Sequence, residues 1–323
     1  MRAIRVHETG DQRRLAIEEA PAPVPRETQL LIRVKATSVN RADLGRGPAG
    51  DRGREGPFIP GLDVAGTIEA VGSQVQGWRV GDPVMALVSQ GGYAELSPAR
   101  LPLAHRPPEG MSAVEAASIP CVFLTAWYAL TEAMHARPGE TVVIHGAGSG
   151  VGTAGIQLAR LLGARVITSA GSDVRVARGM ELGAEAGVNY SRQDLASELM
   201  RLTGGRGVDV VLDSVGGQVF DATLRALAEG GRMVTIGGPA GPKSEPDPEE
   251  LRRKGQVVQG MGVYGYVQAD TEGRGWAQLN KWFEEGVLRP VVDRVLPWTQ
   301  VETAHRLLRE RKVFGKVVMT LEG

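Results

Sequence analysis

Two rhythms of apolar residues divide the chain. Over roughly the first 120 residues the apolar runs are short, β-branched and broken by Gly and Pro: Leu30 to Val34 (LLIRV), Val64 to Val71 (VAGTIEAV) and Val84 to Val88 (VMALV). Runs so closely spaced predict a compact antiparallel β unit. From Thr141 onward the apolar runs recur about every 22 to 25 residues: TVVIH at 141, RVITS at 165, AGVNY at 186, VDVVLD at 208, RMVTIG at 232 and QVVQGMG at 256. The segments between them, such as GIQLARLLGA (155–164) and DATLRALAEGG (221–231), have helical spacing and end in Gly. This alternation predicts an α/β fold with a doubly wound, parallel, six-stranded sheet. Two more helical patterns follow, WAQLNKWFEEG and VETAHRLLRER, and then KVVMTL, a strand able to return to the first unit. The stretch 238–250 (GPAGPKSEPDPEE) is expected as a mobile loop.

Composition narrows the class. A length of 323 residues suggests two domains at roughly 150 residues each. The 37 Lys and Arg balance the 37 Asp and Glu, so no global charge attracts the chain to nucleic acid or anionic lipid. Cys121 is the single cysteine, which excludes an internal disulfide, a four-cysteine zinc loop and a paired-thiol redox centre. No apolar run reaches the ~18 residues of a membrane span, and the opening MRAIRVHETG has no signal-peptide core, so a cytoplasmic protein is expected.

The strongest chemical signal is TVVIHGAGSGVGTAGIQLARLLGA (141–164), a strand running through a glycine turn into an apolar helix. Small residues there let a backbone approach a pyrophosphate, and the helix start presents free N–H groups to it. The turn fits a variant dinucleotide fingerprint built on Ala147, Gly150, Val151 and Gly152. The second strand then ends in Ala170, Gly171 and Ser172, with Arg175 one turn into the next helix. Ser172 and Arg175 suit a 2′-phosphate, so NADPH is the expected cofactor. Asp173 reads as a first-turn acid of that helix. Ser214, Ile236 and Gly237 follow later strands, where open α/β sheets bind ligands.

These residues carry a resemblance along nearly the whole chain. SVNRADL (38–44), PGLDVAGTIEAVG (60–72), WRVGDPVMAL (78–87), GGYAEL (91–96), TAWYAL (125–130), NYS (189–191) and TGGRGVDVVLDSVGG (203–217) resemble the zinc-independent quinone oxidoreductases, zeta-crystallin-like, among the medium-chain dehydrogenases/reductases. The resemblance implies a GroES-like catalytic domain (1–120 and 266–323), a Rossmann NADPH-binding domain (121–265), and an active site in the cleft between them. It implies Asn40 and Thr125 beside nicotinamide and substrate, with Asp63 as a further catalytic candidate. It also implies Tyr190 and Lys316 at the adenosine phosphate and Val263 near the nicotinamide amide. An exposed strand lysine is the plain alternative for Lys316. Family members dimerise, here through Val257 to Val263.

No metal site is expected. Asn40, Leu62 and Asp63 stand where zinc-dependent relatives carry ligands, and none of the five histidines has ligand spacing with another or with Cys121. His7, His105, His135 and His305 are expected on loops or surfaces, and His145 in a satisfied structural role. Without a Lewis acid, hydride is expected to go to an electron-poor acceptor, a quinone. The alternatives are an ene-reductase acting on α,β-unsaturated carbonyls, and a low-turnover NADPH-binding structural or RNA-binding protein. The Gly/Arg-rich segment 45–57 reads as a solvent-facing loop or the rim of the site for an anionic or bulky acceptor.

Overall fold

The structure, a computed structural model, describes residues 1–9, 12–45, 57–241 and 245–321. The chain divides into a β-rich unit, Met1–Cys121 with Val267–Gly323, and a second unit, Val122–Tyr266.

In chain order the β-rich unit begins with β1 (Arg2–Thr9) and β2 (Gln12–Glu19), an antiparallel hairpin forming a sheet of its own. Then come β3 (Gln29–Val39), β4 (Asp63–Val71), β5 (Pro83–Leu87), β6 (Leu96–Arg100), β7 (Ala104–His105) and the short helix α1 (Ala113–Ala117). The 11-residue β3 is the backbone of the main sheet. It pairs with β4 along its length and with β6 over residues 29–33, and its last residues are free for one more strand.

Helix α2 (Pro120–Tyr128) leads to the second unit. There β8 (Thr141–His145), α3 (Gly150–Leu161), β9 (Arg165–Ala170), α4 (Asp173–Glu181), β10 (Ala186–Asn189), α5 (Leu195–Leu202), β11 (Val208–Asp213), α6 (Gly217–Arg225), β12 (Leu227–Thr235), α7 (Pro248–Lys254) and β13 (Val257–Gly260) alternate. The strand order is β10-β9-β8-β11-β12-β13, all parallel. This is the Rossmann arrangement, whose order reverses beside the first strand. Both faces are covered: β8 is wholly buried, and Val143, Ile167, Val211 and Met233 pack with Leu195, Leu199 and Phe220 on one side.

Two local expectations are corrected. The segment 221–231 is helical only to Arg225; Leu227 and Ala228 already belong to β12, where Leu227 pairs with Val208 before a bulge. Buried Leu227 gains more from the sheet than from another helical turn. The loop 238–250 gives its last three residues to α7, because Asp247 caps the helix by accepting from Glu249 N–H at 2.9 Å.

The chain closes with α8 (Val263–Ala269), α9 (Arg274–Glu284), β14 (Val292–Pro297), α10 (Val301–Arg309) and β15 (Lys316–Thr320). β15 returns to the β-rich sheet, antiparallel to residues 36–39 of β3 and parallel to β14. The sheet order is β14-β15-β3-β4-β5-β7, with β6 beside β3. Val317 and Met319 enter the core formed by Ile32, Val34, Ile68 and Trp298. Among the described residues no helix is long and apolar enough to cross a membrane.

Candidate functional site

The candidate nucleotide site is built where β8 meets α3. Ser149 caps the helix, its Oγ accepting from Gly152 N–H at 2.9 Å. That leaves the first-turn N–H groups of Gly150 and Val151 without intrahelical partners and facing the turn. Gly152 has no room for a side chain, since a Cβ there would stand 2.1 Å from the Gly146 carbonyl oxygen. Ala147 is fully buried behind the turn. These residues fit a dinucleotide pyrophosphate, held by backbone donors at the positive end of a helix.

Around this turn the sheet brings the other predicted residues to the carboxyl ends of its strands. Ser172 is the N-cap position of α4 and half-buried Arg175 lies in its first turn. Tyr190 and Ser191, just past β10, lie against the chain after β9: a Cβ on Gly171 would be 3.3 Å from the Tyr190 ring and from Ser191 Oγ. Ser214 Oγ donates to the His145 carbonyl at 3.0 Å, beside Gly146. Ile236 N–H donates to Asp213 O at 3.0 Å, Gly237 follows it, and Val263 begins α8. Thr125 is buried in α2.

Asp173 is a first-turn acid with both oxygens engaged. Asn189 Nδ2 donates to Oδ1 and Arg192 Nη1 to Oδ2, each at 2.6 Å. The Asn189 hydrogen bond, with the Arg192 charge, holds this carboxyl below the usual range. Sequence reasoning missed Asn189 and Arg192, which only the β9–β10 pairing brings to Asp173.

His145 is fully buried at the end of β8. Thr223 already donates to Val219 O at 2.7 Å, so its oxygen accepts from His145 Nε2–H at 2.8 Å. Nδ1 then accepts from Ser169 Oγ at 2.6 Å, which fixes a neutral tautomer. Burial pushes its pKa down to about 4.

A second cluster of polar residues lies inside the β-rich unit. Asn40 follows β3 and Asp63 opens the paired β4, so strand register places them together. Asp63 is fully buried and accepts four hydrogen bonds. Oδ2 takes Ser38 Oγ and Asn40 Nδ2 at 2.7 Å and Lys316 Nζ at 3.2 Å, while Oδ1 takes Cys121 N–H at 2.7 Å. Lys316 Nζ also donates to Asn40 Oδ1 at 2.5 Å. Lys316 is therefore buried and is not an exposed strand lysine. β15 is an inner strand, and its first four residues are all buried.

Asp43, three residues after Asn40, accepts Asn40 N–H at 2.7 Å, Tyr93 O–H at 3.2 Å and Gly61 N–H at 3.2 Å. Burial raises its pKa to about 6 against these donors and Lys316. The Asn-x-x-Asp spacing was the readable sign of this turn. Tyr93 O–H approaches His305 Nε2 at 3.3 Å. His305 is fully buried rather than on a surface, because α10 sets it beside Val301, Ala304 and Leu307 on its inner face. Burial, then Arg13 and Arg309, pushes it down to about 3. Among the described residues no three His, Cys, Asp or Glu side chains converge as a metal site. Residues 46–56 of the Gly/Arg-rich segment lie outside the described residues.

Comparison with known proteins places this geometry. A family model described as an alcohol dehydrogenase GroES-like domain matches residues 26–100, and one described as a zinc-binding dehydrogenase matches 182–319. Quinone oxidoreductase of the pig, Sus scrofa, is 32% identical over 325 residues, covering 99% of this chain and 98% of the relative. A mycobacterial protein solved with NADPH superposes with a TM-score of 0.89 at 32% identity, covering 99% of this chain and all of the other. The CurK enoyl reductase superposes at 0.85 with 30% identity, covering 99% of this chain and 98% of the other. The chain is an oxidoreductase belonging to the quinone oxidoreductase family of the medium-chain dehydrogenases/reductases.

Proposed function

We propose that the protein is an NADPH-dependent, zinc-independent quinone oxidoreductase. One observation carries the choice of acceptor: the charged groups around Asn40 are engaged with one another. Asp63 accepts four hydrogen bonds, three of them on Oδ2 and one of those from the Lys316 ammonium, so its charge is already paired inside the cluster. What remains for a substrate is a neutral donor, the amide of Asn40. Such a group can bind and stabilise a carbonyl oxygen but cannot protonate a simple ketone. An acceptor that already delocalises charge, a quinone, suits it.

Bound NADPH supplies a hydride, two electrons with one proton, and water supplies the second proton of the hydroquinone. The chain's own residues hold and orient. Gly150 and Val151 N–H meet the pyrophosphate, and Ser172 and Arg175 meet the 2′-phosphate. Asp173, with both oxygens taken, leaves the phosphate less opposed than a free carboxylate would. Thr125 and Val263 flank the nicotinamide, Tyr190 meets the adenosine phosphate, and Ser214, Ile236 and Gly237 line the course between. Asn40 holds the acceptor.

The second reading, reduction of an α,β-unsaturated carbonyl, is favoured by the likeness to an enoyl reductase. The protein acts in the cytoplasm as a homodimer joined along β13, a sheet edge whose Val257 is 45% exposed. EDTA-treated protein offered NADPH or NADH with a simple quinone and an enone tests the function. Fast NADPH oxidation by the quinone is the expected result. Turnover on the enone alone assigns the second reading, and activity that EDTA abolishes and zinc restores overturns the metal-free chemistry. A monomer at micromolar concentration in light scattering would remove the dimer.

A further inference from the structure

An amide has two lone pairs on its oxygen and two hydrogens on its nitrogen. At Asn40 the neighbours fix which end faces which. Lys316 Nζ can only donate and lies 2.5 Å from Oδ1; the Asp63 carboxylate can only accept and takes a hydrogen of Nδ2 at 2.7 Å. A flipped amide would set its hydrogens against the ammonium and its oxygen against the carboxylate. The second Nδ2 hydrogen is the donor left over. An ammonium on the carbonyl oxygen draws electron density through the amide and strengthens that remaining N–H.

The pair's position is unusual for a merely structural contact. Lys316 is 4% exposed and Asp63 not at all, and removing two charges from water often costs more than their attraction returns. The following residues of β15, Val317, Val318 and Met319, are apolar, so an apolar residue at 316 would also suit a buried strand.

We infer that Lys316 is a positioning residue for hydride transfer, holding the Asn40 amide in one orientation and sharpening its free N–H toward the acceptor oxygen on which negative charge develops. This rests on the assignment of Asn40 to the acceptor. A contact of Lys316 with the adenosine phosphate would require its amine to leave both Asn40 and Asp63.

The test uses the full chain with Lys316→Met, Lys316→Arg, Asn40→Ala and the Lys316→Met/Asn40→Ala double variant. NADPH Kd is read by fluorescence titration, and kcat and KM with a simple quinone. Lys316→Met is expected to lower kcat roughly 10- to 100-fold, less than the full loss of an oxyanion donor, with NADPH Kd within about twofold. Lys316→Arg should restore part of that loss. On the Asn40→Ala background the lysine change should cost less than about threefold more, since the two act as one unit. A raised NADPH Kd with unchanged kcat would make Lys316 a phosphate contact, and fully multiplying losses would make it independent of Asn40; either overturns the inference. Unchanged kcat in Asn40→Ala would instead remove the assignment of Asn40 itself. If Lys316→Met does not fold, Asp63→Asn/Lys316→Met is set against Asp63→Asn, since Asp63 also grips the Asn40 amide. Turnover lower in the double variant than in Asp63→Asn supports positioning, whereas equal turnover reduces Lys316 to a counter-charge for Asp63.

Discussion

His145 in the Rossmann unit and Lys316 in the β-rich unit are both buried basic side chains gripped by two polar partners. His145 is held neutral between Ser169 and Thr223, two hydroxyls that satisfy both ring nitrogens, although the buried Asp213 carboxylate favours its charged form. Lys316 faces a carboxylate and an amide oxygen, and its neighbourhood also contains Asp43. A neutral network suits a joint between strands. A charged one fixes the dipoles it touches, as the proposed role of Lys316 at Asn40 requires.

Removing one charge should expose the contrast most strongly. Asp63→Ala leaves the Lys316 ammonium buried without its counter-charge, and a loss of about 3–5 kcal/mol in urea unfolding is expected. A loss below about 1 kcal/mol would mean that water reaches the pair, as it does at exposed ion pairs. His145→Leu removes only a neutral partner. Stranding Ser169 and Thr223 should cost about 1–3 kcal/mol and leave the quinone kcat near wild type. A large fall in kcat with unchanged stability would give His145 a part in the chemistry.

Acid provides a smaller and graded test. The pKa values of His145 and His305 in the folded chain, about 4 and about 3, lie below the ordinary 6.5, so the unfolded chain takes up their protons first. Their contribution to stability is complete above pH 6.5 and is lost as pH falls toward those values. Asp43 acts in the opposite sense. Its raised value, about 6, makes the folded chain take up a proton between pH 6 and 4 before the unfolded chain does, which offsets one histidine. His105, also pushed below 6.5 by burial, acts in the same sense as the other two histidines, so stability should fall as pH falls from 6.5 toward 4, as followed by urea midpoints. His145→Leu should lessen that slope by up to about 1.4 kcal/mol per pH unit, and an unaltered slope would show that His145 is not buried neutral. The mildest test concerns the glycine turn. Gly152→Ala must displace the Gly146 carbonyl, and a loss of about 1–3 kcal/mol with weakened NADPH binding in fluorescence titration is expected. Unchanged binding would separate the turn from the cofactor.

The Rossmann unit was the more readable of the two because its information is local. TVVIH, RVITS, AGVNY and VDVVLD each became a strand within a residue or two of the pattern, and the glycine turn sits between β8 and α3 as its spacing required. The β-rich unit depends on pairings that no local window contains. KVVMTL announced a returning strand, but only its register against β3 sets Lys316 beside Asn40. Arg192 was invisible for the same reason, since nothing within NYSRQD points to Asp173. Two misreadings were avoidable: Asp247 before Pro-Glu-Glu marks a helix start, and the 301, 304, 305 and 307 spacing puts His305 on the inner face of α10.

β15 gives the β-rich unit a history as well as a shape. Its residues 316–320 are the last strand of their sheet to leave the ribosome, and their partners on β3 were made some 280 residues earlier. Every strand of the Rossmann sheet lies between those two dates. A nascent chain therefore has time to complete its nucleotide-binding unit while Asp63 and Asn40 still wait for Lys316. The β-rich unit should be the last to acquire protection from proteases during synthesis.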